Sequence, residues 1–210
     1  MKRSGMIKKI AAALLAVVFI ATGFGTDVYA APDLRPDFVI YVNRIANCVT
    51  VKLKNADGTE TAVKAMACST GRPGHETPTG IFKTSNYYDW RLMVDGTYGR
   101  YAVRFNNKIL FHSVPYLAMN PATLEWDQYN LLGTPASLGC VRLSVADSKW
   151  IYDNCKKGTR VVDYDDIYSP GDLGKPASTI IDPSSVNRGW DPTDVNPFNP
   201  WLAGALTSGL

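Results

Sequence analysis

Cys140 and the two histidines are the residues that can do chemistry here. Cys140 follows Gly139 and stands two residues before Arg142, within Pro135-Ala136-Ser137-Leu138-Gly139-Cys140-Val141-Arg142-Leu143. A thiol becomes a nucleophile when a base and a positive local potential make it a thiolate. A glycine beside it lets the backbone approach a ligand in conformations that other residues avoid. The chain has two histidines, His75 and His112, so a base has few candidates. His112 opens His112-Ser113-Val114-Pro115-Tyr116, the end of a strand entering a loop, while the cysteine's turn is expected to pass straight into a helix. This is the equipment of acyl transfer. The tetrahedral oxyanion would need N–H donors, and the Gly139 and Cys140 amides are the nearest. Arg142 can raise the local potential or orient the loop through a buried ion pair, and the structural role is preferred.

These groups need a scaffold. Phe38–Asn43 and Cys48–Leu53 carry β-branched, partly alternating patterns that read as strands. Asn55-Ala56-Asp57-Gly58 is a turn signal, after which Glu60–Ser69 is expected to return antiparallel. Asn106-Asn107 marks another tight turn, between Tyr98–Phe105 and Lys108–His112. Then the texture changes. Asn120 reads as a helix N-cap with Pro121 at the first helical position and Gly133 as the stop. Residues 113–139 therefore read either as a cap over the site or as a packed connection. Ser144-Val145-Ala146-Asp147 starts a second helix running to about Lys157, with Trp150 and Ile151 toward the core and Gly158 ending it. Thr159–Tyr164 reads as a last strand. From Ile167 onward Pro, Gly, Ser and Asp dominate without periodicity, and Trp190 and Trp201 argue that this tail packs on the domain.

Length and composition bound the rest. At 210 residues the chain suits one domain. Lys2, Arg3, Lys8 and Lys9 precede an apolar run from Ile10 to Ala21, and Val28-Tyr29-Ala30 offers a small-x-small cleavage point. That layout predicts a secretory signal peptide over residues 1–30. Its removal takes away four Lys/Arg and one Asp, leaving 18 basic and 18 acidic residues of the original 22 and 19. The net charge of +3 thus belongs to the leader, and nothing in the remainder suggests nucleic-acid binding.

Taken in order, these stretches resemble the L,D-transpeptidase (YkuD-type) family of bacterial cell-wall enzymes. The matching features are His112-Ser113, the Ser137-x-Gly139-Cys140-x-Arg142 run, Ser69-Thr70-Gly71 and Thr77-Pro78-Thr79-Gly80-Ile81-Phe82. Many members have histidine where this chain has Leu138. The resemblance spans roughly residues 38 to 165 and implies a mainly β fold, a mixed sheet or sandwich-like catalytic domain with short helices. Its limits are then residues 38–166, after a short linker at 31–37 and before an irregular tail at 167–210. It implies catalytic roles for Cys140 as nucleophile, His112 as base and then acid, Ser113 as the carbonyl that fixes the imidazole tautomer, and Gly139 in the oxyanion hole. Tyr116, Ser137, Leu138 and Arg142 fall to substrate binding. The implied partner is a peptidoglycan tetrapeptide stem, cross-linked 3→3 through a thioester, with no metal or organic cofactor. Carbapenems would acylate the same cysteine. Such an enzyme is expected to be secreted and wall-associated, without stable membrane insertion.

Chain order argues against other cysteine enzymes. Papain-like peptidases place cysteine before histidine, and the Thr-Leu-x-Thr-Cys strand of sortases is absent. Zinc held by His75, His112 and Cys140 lacks the usual paired-cysteine spacing, and His75 reads as an exposed loop residue. A hydrolase using water as acceptor and a non-catalytic wall-binding module stay open. Of the four cysteines, Cys48 and Cys68 would fall opposite one another in a hairpin centred near Gly58, which predicts a Cys48–Cys68 disulfide.

Overall fold

A computed structural model describes residues 33–202; the expected leader lies outside them. Strands β1 (Phe38–Asn43), β2 (Cys48–Lys54) and β3 (Glu60–Ala67) form an antiparallel meander. Next along the chain come β4 (Gly80–Lys83), β5 (Tyr87–Leu92), β6 (Tyr98–Asn106) and β7 (Ile109–Ser113). A short helix α1 (Trp126–Tyr129), the three-residue strand β8 (Val141–Leu143), helix α2 (Val145–Asn154) and strand β9 (Arg160–Tyr164) complete the order. Two mixed sheets result, β3-β2-β1-β9-β4 and β5-β6-β7-β8. This is the mainly β fold expected from the sequence.

Strand alternation sends one face of each sheet into a shared core. Ile40, Val42, Val49, Val51, Met66 and Val161 meet Val103, Phe111, Val141 and Leu143, with Ile151 of α2 closing one side. Each such fully buried aliphatic or aromatic side chain contributes about 1.5–3 kcal/mol. A second cluster gathers Val114, Tyr116, Leu124, Tyr129, Leu132, Val145 and Ile181. It unites the 113–139 connection with the tail.

Four expectations are corrected. The helix expected over 120–133 is a single turn, because bridges Tyr98↔Tyr116 and Tyr116↔Leu124 hold the chain extended. Asn120 caps a turn, accepting from the Ala122 amide, rather than a helix. Strand β8 stands between Cys140 and α2, so the nucleophile turn does not enter a helix directly. Helix α2 does start at Ser144, whose Oγ accepts from Asp147, but Cys155 is already extended. Finally, all four cysteines are free thiols. The β2–β3 turn and a register shift at Val51/Lys52 place Cys48 opposite Ala67 rather than Cys68.

The tail supplies the caps that α2 needs. A helix start leaves its first amides without partners; here Asp191 Oδ2 accepts from Val145 and Thr193 Oγ1 from Ala146. Buried Asp194 pairs with Arg100 at 2.7 Å, and Trp201 Nε1 donates to the Asn187 and Trp190 carbonyls. Among the described residues no helix is long and apolar enough to cross a membrane.

Asp163 on β9 is buried with neither carboxylate oxygen hydrogen-bonded, and burial pushes its pKa up to about 8, against the opposing pull of Arg44. The folded state therefore holds a proton that the unfolded chain releases above its ordinary value of 3.8, so stability falls as pH rises from there to about 8. Asp163→Asn is expected to be more stable than the parent, by a margin that grows across this window and then levels. Thermal melts at pH 5, 7 and 9 giving a constant difference would contradict it.

Candidate active site

Parallel pairing of β7 with β8 assembles the site. Phe111 faces Val141 and His112 faces Arg142 in register. Alternation puts Phe111 and Val141 in the core, so His112 and Arg142 share the opposite face with Cys140 just upstream. All three border a cleft of about 580 Å³. Its outer wall is the β5–β6 hairpin from Arg91 to Thr97, with Arg104, Lys108 and Leu138 completing the rim. The 113–139 connection contributes only Pro115, Ser137 and Leu138. It is a packed connection rather than a cap.

Gly139 adopts φ +115°, a conformation natural to glycine. Ser137 Oγ sits inside this turn, accepting from the Gly139 amide at 3.0 Å and donating to the Cys140 carbonyl at 2.5 Å. The Gly139 N–H is thereby occupied, which corrects its expected place in an oxyanion hole. The Cys140 amide makes no hydrogen bond among the described residues. Thr77 Oγ1, fully buried, donates to the Gly139 carbonyl at 2.8 Å and accepts from the Gly71 amide at 2.9 Å.

His112 Nδ1 lies 2.6 Å from the Ser113 carbonyl. A carbonyl only accepts, so this bond places the proton on Nδ1 and leaves Nε2 with its lone pair. Burial, then the Arg142 cation, lowers the imidazole pKa to about 4. Burial raises the Cys140 thiol, with the Leu110 backbone and Arg142 opposing. Both groups are therefore neutral near pH 7, and proton transfer must accompany attack rather than precede it.

Gly99 on β6 fixes the ring from the other side. A Cβ at that position would fall 2.7 Å from His112 Nδ1 and 2.9 Å from Cγ, closer than real contacts allow. The sequence reading missed it, although an isolated glycine in a strand pattern signals close approach.

The remaining expected residues divide. Leu138 is 36% exposed on the cleft rim. Arg142 is 7% exposed, and Nη1 donates to Gln128 Oε1 at 2.9 Å and the Ala136 carbonyl at 3.4 Å. No carboxylate pairs with it among the described residues, so the expected buried ion pair is absent. Tyr116 is fully buried, edge-on to Trp90 at 5.3 Å, in the second cluster. It cannot reach the cleft, which removes it from the substrate-binding set. His75 lies in an exposed turn.

Residues 37–162 match the YkuD family, the L,D-transpeptidase catalytic domain. A Bacillus subtilis protein named "Putative L,D-transpeptidase YciB" is 41% identical over 57 residues, 27% of this chain and 28% of that protein. The structure of an L,D-transpeptidase from Mycobacterium smegmatis superposes with a TM-score of 0.50 at 22% identity, covering 61% of this chain and 59% of the other. The L,D-transpeptidase LdtMt1 in complex with imipenem gives the same values, a TM-score of 0.50, 22% identity and coverage of 61% and 59%. At that identity the structural likeness concerns the fold alone. The chain spans less than two thirds of each of these proteins.

Gly99→Ala is expected to displace the His112 ring and slow reaction at Cys140 with an acyl donor about 100-fold, leaving the far-UV circular dichroism unchanged. A parental rate in that variant would remove Gly99 from the site. The pH–rate profile of the parent is expected to keep its rate as pH falls past 6.5 and to lose it only near 4, where His112 takes a proton. A limb centred at 6.5 would show that burial and Arg142 do not depress the His112 imidazole.

Proposed function

This chain belongs to the L,D-transpeptidase catalytic-domain family, and we propose that Cys140 is its acyl-accepting nucleophile and His112 its base, acting on peptidoglycan tetrapeptide stems. The observation that carries this reading is the His112 ring, whose Nδ1 is held by the Ser113 carbonyl so that Nε2 keeps its lone pair, in a side chain that borders the same cleft as Cys140. Cys140 Sγ attacks the carbonyl of the stem's third residue while its proton passes to Nε2. The C–N bond to the terminal D-alanine then breaks, and Nε2 returns the proton to the departing amine. The thioester left on Cys140 is opened by an amine of a neighbouring stem, whose proton Nε2 removes and passes to the departing Cys140 sulfur, giving a 3→3 cross-link and the free thiol. The histidine thus alternates between base and acid, as two-step covalent catalysis requires. The Cys140 amide is the donor available to the oxyanion.

The basic and then apolar start of the chain supports export, so the reaction belongs outside the cytoplasm, at the wall. A fold relative solved with imipenem makes a carbapenem a rational active-site probe here too.

The parent is expected to gain one drug mass with imipenem and, with a tetrapeptide donor, to release D-alanine and then form a dimer when an acceptor stem is present. Cys140→Ala should do neither. Intact mass spectrometry and chromatography of the products read both. Drug or donor adducts that persist in Cys140→Ala would sink the assignment of the nucleophile, and free tripeptide without any dimer would make the enzyme a hydrolase.

A further inference from the structure

Resting on the reading of His112 as the base, we infer that Tyr101 is its positioning residue. A left-handed kink of β6 at Tyr101 withdraws the strand partner that the Ser113 carbonyl would otherwise have, and so leaves that carbonyl to His112 Nδ1.

The kink is an outlier. Among the described residues three other than glycine have positive φ, namely Asn47 at 51°, Tyr101 at 50° and Asn107 at 39°. The two asparagines stand in turns, where their short polar side chains tolerate this backbone. Tyr101 lies inside strand β6, and a bulky residue keeps such a conformation only where its surroundings impose it.

Both neighbouring ladders skip this position. On one side, β5–β6 pairing passes from Tyr88↔Ala102 to Trp90↔Arg100 and omits Asp89 with Tyr101. On the other, the β6–β7 register at Val103↔Phe111 resumes unchanged at Tyr98↔Tyr116. That register sets Tyr101 opposite Ser113, yet no pair forms there. Val114 gives its N–H to Leu143 of β8. Successive residues of a strand point their backbone groups to opposite sides, so the Ser113 carbonyl faces β6. In an unbroken ladder it would accept from the Tyr101 amide. Instead His112 Nδ1 lies 2.6 Å from it, and the Arg100 amide donates to Ser113 Oγ at 2.9 Å. The kink thus exchanges a strand hydrogen bond for the one that fixes the imidazole tautomer.

What imposes the kink comes from outside the two strands. The Arg100 guanidinium lies over the Tyr101 ring at 4.7 Å and the Trp90 ring at 5.3 Å, and it pairs at 2.7 Å with buried Asp194 of the tail. From α2, Lys149 Nζ stands 5.2 Å from the Tyr101 ring centroid, and the Tyr152 ring stands 5.6 Å from it. The tail and α2 therefore clamp the strained residue on which the histidine depends.

Tyr101→Val and Tyr101→Asn test this as a pair. Both remove the aromatic ring, but valine resists the left-handed backbone and asparagine tolerates it. The chain has only His75 and His112, so in a His75→Gln background nitrogen-15 spectra report the His112 tautomer alone. Single-turnover adduct formation with imipenem, read by intact mass, gives the rate, and circular dichroism monitors folding. The parent should carry its proton on Nδ1. Tyr101→Val should lose that signature and acylate about 100-fold more slowly, whereas Tyr101→Asn should keep the signature and recover most of the rate. Equal losses in both folded variants would assign the effect to the missing ring and overturn the inference. A parental tautomer in folded Tyr101→Val, or a parent protonated on Nε2, would overturn it as well. Where Tyr101→Val does not fold, Tyr101→Asn decides alone: a retained Nδ1 proton supports the kink and a lost one refutes it. A parent protonated on Nδ1 that forms no adduct would refute the reading of His112 as base, and the inference with it.

Discussion

The register of a three-residue strand decides whether this protein has a site at all. A slip of one residue turns every side chain of a strand to the other face. In β8 it would turn Arg142 toward the core and send Val141 into the cleft. Three residues pairing on one side with β7 are too few to resist this alone. The segment after β3 supplies the rest. Ser69 and Arg142 exchange two backbone hydrogen bonds at 2.9 Å, and the Thr70 carbonyl accepts from both Ala136 and Ser137. Thr77 then ties Gly71 to Gly139. The turn that carries Cys140 is thus splinted by the segment from Ser69 to Thr77.

Electrostatics within the frame favour restraint over pre-activation. An ion pair of thiolate and imidazolium would need the cleft to solvate two charges, yet burial is the largest influence on both partners and opposes both charged forms. Arg142 helps a thiolate but discourages an imidazolium, so it cannot stabilise the pair as a unit. The neutral pair wins. A cysteine kept as thiol is less exposed to oxidation than a thiolate.

The sequence disclosed what local chemistry controls. The bounds of β1 and the start of α2 followed from alternation and from a serine cap, and the Ser-x-Gly-Cys-x-Arg run marked the turn that borders the cleft. Legibility ended where partners are distant. Asn120-Pro121 is a sound helix start locally, but the bridge from Tyr116 to Leu124 overrides it. The Cys48–Cys68 expectation counted residues from Gly58 and could not know of the shift at Val51/Lys52. The hairpin wall from Arg91 to Thr97 carries no marker of its neighbourhood to His112, and Gly99 becomes meaningful only once that ring is seen against it.

The irregular tail shows how such distant partners reach the chemistry. Asn130 and Ile181 exchange two hydrogen bonds, the Gly189 carbonyl accepts from Leu124, and Lys175 and Ser178 donate to the carbonyls that follow α1. With Asp191 and Thr193 seated on α2, the tail holds the chain on both sides of the nucleophile turn. Gln128 lies in α1, inside the braced stretch, and its carboxamide holds Nη1 of Arg142. A carboxamide orients a guanidinium without neutralising it, whereas a glutamate at that position would satisfy the charge internally. The brace therefore fixes the direction of Arg142 on the cleft that Cys140 and His112 also border without neutralising it.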